Sequence, residues 1–355
     1  MTNKVDRLGD TVIDFEAVLK SMRSAVWNKV KEYLPTGLPK DFHELLWEYP
    51  TRQGKYFRPG LMILATEMFG GKRSDALLVA AALQVCQDWI LIHDDFEDDA
   101  EERRSTPNEH RMALHRLHGS EIAVNAGDAL HVIMWRMVGD CVRQFGDQRG
   151  WMIYDKFVDI LMTTARGQHI ELKWQRDRWL DMREDDFFSL VDIKAGYYTT
   201  AGPVQIGGFI AGVSDRLLDG ALSWCIPFGR AFQVWDDVMN LTVDTVIQGK
   251  EKAGDITEGK RTLILIHLLD HCSVSDAQEV RSFYVRDRGS RTHEERERIL
   301  AMMKRCGSIE YAATCARELG RIAKERFDVY GEGLPDSFAK RAIRTGIDYA
   351  TSRRR

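Results

Sequence analysis

Two acidic clusters have the residue types and spacing to hold divalent metal. The first is Asp94-Asp95-Phe96-Glu97-Asp98-Asp99, followed by Arg103 and Arg104; the second is Gln233-Val234-Trp235-Asp236-Asp237-Val238-Met239-Asn240. On a helix, residues i and i+4 share a face, so Asp94 with Asp98, and Asp236 with Asn240, each present oxygens along one ridge. Magnesium favours a few carboxylates completed by phosphate oxygens over an all-protein cage, so two facing ridges suit a diphosphate clamped through Mg²⁺. An acidic string alone is more often a solvated helix face. Here the first string directly follows the apolar run Trp89-Ile90-Leu91-Ile92, which places it at the end of a buried helix. The arginines that follow can grip phosphate bidentately, so acid and base together fit a shared metal and diphosphate site.

The elements that must position these residues read as helices. The chain has 355 residues, 44% hydrophobic and 29% charged, which is ordinary for a soluble globular protein with a substantial core. Only eight prolines occur, and the long stretches Pro107 to Pro203 and Pro227 to Pro335 carry none. Ile153, Phe157, Ile160, Leu161 and Thr164 recur at helical intervals, and alternating strand patterns are scarce. Breaks are expected at Pro35–Pro39, Gly70–Lys72, Gly146–Gly150, Gly249–Gly259 and Gly331–Pro335. Thr292-x-x-Glu295 reads as a capping box. Without an internal repeat or low-complexity linker, the expectation is one all-α domain over 1–355, a single large helical bundle with a central cavity.

Composition also excludes classes. A net charge of −4 and no basic stripe interleaved with aromatics argue against nucleic acid as partner. The six cysteines show no paired or zinc-like spacing and read as reduced structural thiols. The first residues lack the apolar core of a signal peptide, and no apolar run approaches the roughly 20 residues that span a bilayer. The expected location is cytoplasmic. Arg353-Arg354-Arg355 reads as a solvated tail, with a minority alternative in which it folds over a substrate pocket.

Taken in order, Gly54-Lys55-Tyr56-Phe57-Arg58-Pro59, Leu91-Ile92-His93-Asp94-Asp95-x-x-Asp98 with Arg103-Arg104, and Gly127-Asp128-Ala129-Leu130 resemble the trans-isoprenyl diphosphate synthases. Gly167-Gln168-His169-Ile170-Glu171-Leu172, Lys194-Ala195-Gly196, Phe232-Gln233-Val234-Trp235-Asp236-Asp237 and Gly259-Lys260-Arg261-Thr262 continue the pattern in the same order. The resemblance, roughly from Gly54 to Thr262, implies the isoprenoid synthase type of helical bundle. It also implies condensation of an allylic diphosphate with isopentenyl diphosphate, in a homodimer. By the same resemblance Asp94, Asp98 and Asp236 would ligate three Mg²⁺, with Asp95, Asp237 and Asn240 completing the two metal motifs. Arg103, Lys194, Lys260 and, less centrally, Lys250 would bind the allylic diphosphate. Lys55, Arg58, Gln87 and Arg104 would bind isopentenyl diphosphate, and Gln233 would stabilise the allylic cation. The developing charge on the departing diphosphate is what metal and cations stabilise most.

Three positions depart from the family pattern: Asn240 replaces an aspartate, Ala195 a common threonine, and Glu171 a commoner aspartate. Product length follows from helix geometry. Cys86, Ile90, Asp94 and Asp98 form an i+4 row with Trp89 beside it, so a prenyl tail leaving the metals runs past Ile90 and stops at the indole. A lone tryptophan is more often core than a ruler, and only its place beside this row favours the ruler. With the family resemblance this points to a short product, geranylgeranyl before farnesyl. His93 is expected to support rather than ligate. The rivals are a class I terpene cyclase, opposed by Asn240 and Asp244 in its second motif and by the Lys55, Arg58 and Gln87 set, and a noncatalytic helical subunit, opposed by intact aspartates. A metal phosphohydrolase would need further histidine ligands, which are lacking.

Overall fold

The computed structural model describes residues 13–37, 39–106, 109–243 and 253–353. The chain runs through α1 (Phe15–Tyr33), α2 (Lys40–Thr51), α3 (Phe57–Met68) and α4 (Arg73–Glu97) into the short α5 (Leu114–His118). Next come α6 (Ser120–Phe145), α7 (Asp147–Arg176), α8 (Glu184–Val191), a π-helix (Asp192–Ala201), α9 (Gly202–Ala211) and α10 (Asp215–Thr242). From residue 253 onward come α11 (Gly254–Glu258), α12 (Leu263–His271), α13 (Val274–Tyr284), α14 (His293–Arg305), α15 (Ser308–Gly331) and α16 (Phe338–Ala350). Among the described residues no strand forms; Glu102 with Met112, and Thr106 with Glu109, make isolated bridges only. The all-α expectation holds.

Local chemistry sets the helix boundaries. Asp14 caps α1 by accepting from the Glu16 and Ala17 amides at 3.0 and 3.1 Å. The expected capping box opens α14: the Glu295 amide donates to Thr292 Oγ1 at 3.2 Å, and the Thr292 amide donates to Glu295 Oε2 at 2.9 Å. The Thr292 amide and Arg286 hold the Glu295 carboxyl down, to about 2. Pro227 lies inside α10 and cannot donate to the carbonyl four residues earlier. Arg326 Nη1, from α15, donates to that Ser223 carbonyl at 3.1 Å, so the acceptor remains satisfied.

Two apolar clusters organise the packing. The first joins α1, α3, α4, α6, α7, α9 and the first half of α10, through residues such as Leu61, Leu83, Leu130, Phe157 and Trp224. The second joins α8, the later half of α10 and α11 to α15, through Val238, Leu265, Phe283 and Met303. Helix α10 belongs to both, and Phe232 to Asp236 lie where it passes between them. Among helix pairs, α10 with α15 and α4 with α6 pack most extensively.

Two expectations change. Helix α4 is long and apolar enough to cross a bilayer by length and composition, so the sequence does carry one such stretch; most of it is packed inside the bundle. The Gly249–Gly259 stretch is not simply a loop: among its described residues, Gly254–Glu258 form a helical turn, and the Asp255 amide donates to Asn240 Oδ1 at 3.2 Å. Lys250 lies outside the described residues, as do Arg354 and Arg355.

Candidate active site

One cavity of about 680 Å³ opens against the first apolar cluster, whose Phe57, Trp89, Ile90, Leu161 and Phe232 line it, a size ordinary for a small-molecule site. Of the residues singled out from the sequence, Lys55, Arg58, Gln87, Trp89, Ile90, Asp94, Arg103, Arg104, Lys194, Gln233, Asp236 and Lys260 line it. Asp237 and Asn240 line an adjoining recess, which shares Lys194, Gln233, Asp236 and Lys260 with the main cavity. Residues far apart in sequence therefore converge, and the two acidic clusters do face one space.

The first acidic cluster is divided by helix rotation. Each residue of α4 turns about 100° from the last. Asp94 therefore faces the cavity, whereas Asp95 points into the protein, fully buried, and accepts from Tyr49 and from Arg103 Nε at 2.6 Å. Asp95, expected in support of the metal ridge, reaches the cavity only through Arg103, which it holds from inside the protein. Arg103 also lies 3.4 Å from Asp94 Oδ2, so it joins the buried and exposed carboxylates. Burial works against its charge, but Asp95 and Asp94 outweigh this and hold it above its ordinary value. Asp98, at the end of α4, does not itself line the main cavity but meets Lys260, which does, with Nζ 3.0 Å from its Oδ2. Burial raises the Asp98 carboxyl to about 7 against the pull of Lys260. Beside this ridge, Glu97 accepts from Gln168 at 2.7 Å, bridging α4 to α7.

Lys194 stands on the π-helix, whose wider turns are frequent at functional sites. It pairs with Glu171 and lies 3.8 Å from Asp94 Oδ1. Helix α7 reaches it closely because Gly167 has no side chain: a Cβ there would sit 2.6 Å from Lys194 Cα. The Gly167-Gln168 motif thereby acquires a packing reason, and Glu171 on the same helix is the lysine's partner. Gly127 serves similarly, since a Cβ would collide with the ring of His93. His93 lines the cavity with Nε2 3.2 Å from the Val124 carbonyl, a supporting placement.

Helix α10 supplies the second ridge. Gln233 Nε2 donates to Asp237 Oδ1 at 2.9 Å. Burial, with Asp255 and Asp236 nearby, pushes the Asp237 carboxyl well above its ordinary value. Asn240 is buried in this crowd, and its amide oxygen is committed to the Asp255 amide. A fourth carboxylate there would add like-charge repulsion, so the amide relieves it.

Arg353 corrects the expectation of a solvated tail. It is 4% exposed and lines the cavity. Its guanidinium lies 3.6 Å from the Phe232 ring centroid, and Nη2 donates to Asp236 Oδ1 at 3.2 Å and to the Phe232 carbonyl at 3.1 Å. Trp235 Nε1 donates to the Arg353 carbonyl at 3.0 Å, which fixes the backbone. The signal in the sequence was an arginine with aromatic and acidic partners 117 to 121 residues away, a pairing that only the fold reveals.

The basic wall lies on α3 and the turn after α4. Arg58 Nη2 donates to Thr199 Oγ1 at 2.9 Å and the guanidinium covers the Tyr198 ring. Arg104 spans Asp88, 2.9 Å away, and the Tyr49 carbonyl at 3.1 Å. Gln87 Oε1 is buried without a hydrogen-bond partner.

Trp89 and Ile90 line the cavity together with Leu161 and Thr164 from α7. The Trp89 ring lies 4.6 Å from that of His131, whose Nε2 accepts from Trp135 Nε1 at 2.8 Å. Cys86 is fully buried and does not line the cavity. The thiol is engaged by Tyr198 from the π-helix, and it is Tyr198 that lines the cavity.

The carboxylates fit a metal that arrives with its ligand. Among the described residues no three His, Cys, Asp or Glu side chains converge into a cage. Asp94, Asp98 and Asp236 instead each face a cation, respectively Lys194, Lys260 and Arg353. Such sparse oxygen donors suit Mg²⁺ completed by phosphate oxygens.

Paired acidic ridges, basic walls and an apolar shaft within a helical bundle define an enzyme that handles a diphosphate with an apolar tail. The polyprenyl synthetase family model matches residues 39–303. The chain belongs to that family and is a trans-prenyltransferase. It is 28% identical over 266 residues to a geranylgeranyl diphosphate synthase of Sulfolobus acidocaldarius, covering 75% of this chain and 78% of the relative. It is also 28% identical to a short chain isoprenyl diphosphate synthase of Methanothermobacter thermautotrophicus, over 95% of this chain and 98% of that one. A geranylgeranyl pyrophosphate synthase from Corynebacterium glutamicum, solved with isoprenyl diphosphate and magnesium, shares the fold. Its TM-score is 0.81 at 22% identity, over 97% of this chain and 100% of that one.

Proposed function

We propose that this enzyme joins an allylic diphosphate to isopentenyl diphosphate and releases a short all-trans prenyl diphosphate, geranylgeranyl in preference to farnesyl. The observation that carries the proposal is the convergence of Asp94 and Asp236 with the basic residues Lys55, Arg58, Lys194 and Lys260 on one cavity whose apolar lining includes Trp89 and Ile90. The relatives named for geranylgeranyl and short-chain synthesis support it.

Asp94, Asp98 and Asp236 would hold Mg²⁺, three ions by family resemblance, and bound metal supplies charge stabilisation to the departing diphosphate. Lys194, Lys260 and Arg103 bind and orient that diphosphate on the Asp94 side. The allylic carbon–oxygen bond breaks with its electron pair passing to the diphosphate. The isopentenyl double bond then attacks the allylic carbon, and the adjacent proton leaves to the released diphosphate. Gln233 contributes its carbonyl dipole, since its amide nitrogen is engaged by Asp237. Lys55, Arg58, Gln87 and Arg104 hold isopentenyl diphosphate on the opposite wall, and the apolar shaft excludes water from the cation. A class I cyclase would need no second anion wall. Product sizing after incubation of the purified chain with each allylic starter, isopentenyl diphosphate and Mg²⁺ tests the assignment; growth by five-carbon units is expected.

Arg353 we place with the isopentenyl wall, across from Asp236. Losing one charge-assisted hydrogen bond is worth on the order of tenfold in binding, so Arg353→Ala should raise the KM for isopentenyl diphosphate about tenfold. An unchanged KM with lowered kcat would make Arg353 only the counter-ion of Asp236. Exposed Ile122, Val132, Trp151 and Met162 on α6 and α7 are the surface we assign to the homodimer; a monomeric mass by light scattering refutes it.

A further inference from the structure

We propose that Arg288 is a positioning residue for the allylic-diphosphate side of the site. It lies outside the motif stretch that ends at Thr262, in the turn between α13 and α14, and does not line the cavity. Its Nη1 donates to the Asp98 carbonyl at 3.0 Å and lies 3.7 Å from Glu258 Oε1; its Nε lies 3.7 Å from Asp99 Oδ2. Glu258 in turn lies 3.0 Å from Lys260 Nζ, which is 3.0 Å from Asp98 Oδ2. Asp98, Lys260, Glu258 and Arg288 thus form a closed circuit, and Arg288 supplies its second cation.

The circuit crosses the junction between the two apolar clusters. Asp98 ends α4 in the first, where helix carbonyls lack intrahelical donors and a cation is favourable. Arg288 and Lys260 belong to elements packed in the second. Arg291 strengthens the same turn by donating to the Thr257 carbonyl at 2.6 Å. An arginine suits this task because its planar fork serves several acceptors at fixed geometry. Without Arg288, Glu258 keeps Lys260 as its sole partner in the circuit and draws it from the cavity, while the end of α4 loses its tie. Displacement of a binding group by about 1 Å can cost on the order of 100-fold.

This proposal rests on Lys260 as an anion-binding group, so Lys260→Ala is measured alongside. Arg288→Ala should raise the KM for the allylic diphosphate about tenfold, leave the KM for isopentenyl diphosphate within about twofold, and change kcat less than the allylic KM. Arg288→Lys, which keeps charge but not the fork, should fall between, and it decides the matter if the alanine variant does not fold. In a double-mutant cycle with Glu258→Gln, the two effects should be non-additive by at least about threefold. Equal changes in both KM values, or strict additivity, would overturn the proposal. If Lys260→Ala raises the allylic KM and neither Arg288 variant does, the proposal alone falls. If Lys260→Ala leaves that KM unchanged, the assignment of Lys260 falls and takes the proposal with it.

Discussion

Asp94→Ala should lower kcat by about three orders of magnitude, with a smaller rise in either KM. Removing one preorganised group aimed at charge developing in a transition state costs on the order of 10²–10³, and Asp94 has two such connections. It is the cavity-facing carboxylate of the first ridge, and Lys194 and Arg103 both lie against it, at 3.8 and 3.4 Å. On the proposed roles, the alanine variant loses a metal donor and the acceptor that aligns two diphosphate-binding cations. Asp94→Asn keeps the shape and an oxygen, so it should recover part of the loss. Steady-state kinetics at saturating Mg²⁺ measures this. A fall of less than tenfold would mean that Asp94 does not hold metal during turnover.

Trp89→Ala should lengthen the product by one or two five-carbon units. On the proposed reading Trp89 and Ile90, which line the cavity, form its floor; the indole lies against His131, which accepts from Trp135. Removing the indole opens a short extension with a second aromatic barrier behind it, so growth continues but stops again. Product length is read from the distribution of chains, so a partial loss of stability from the truncated aromatic does not mimic the effect. An unchanged product with excess isopentenyl diphosphate would mean that Trp89 is not the floor. The two predictions separate the proposed roles: Asp94 on the barrier, Trp89 on when chain growth ends.

Much of the site was legible because the chemistry needs particular residue types at helical spacing. The Asp94 face, Lys55, Arg58, Lys194, Gln233, Asp236 and Lys260 all reach one cavity as their motifs suggest. Exact angle was less legible. Adjacent aspartates differ by about 100° around a helix, so Asp94 opens to the cavity and Asp95 is spent on Arg103 and Tyr49. Cys86 is covered by Tyr198, a partner far later in the chain that no local pattern announces. Long-range partners were least legible: nothing near Arg353 announces Phe232 and Asp236, and nothing near Arg288 announces Asp98, 190 residues earlier. The π-helix beneath Lys194 also escapes periodicity, because one local widening of the turn leaves the apolar pattern nearly helical. Asn240 becomes intelligible only beside Asp237 and Asp255, where charge is already crowded.

The most direct measurement follows label from isopentenyl diphosphate into product, with the allylic starter and Mg²⁺ each present or omitted. Label should enter a prenyl diphosphate only when all three are supplied, and the product should exceed its starter by whole five-carbon units. Consumption of the allylic starter without uptake of label would contradict the account in favour of cyclisation, and absence of any turnover by the isolated chain would contradict it in favour of a subunit role.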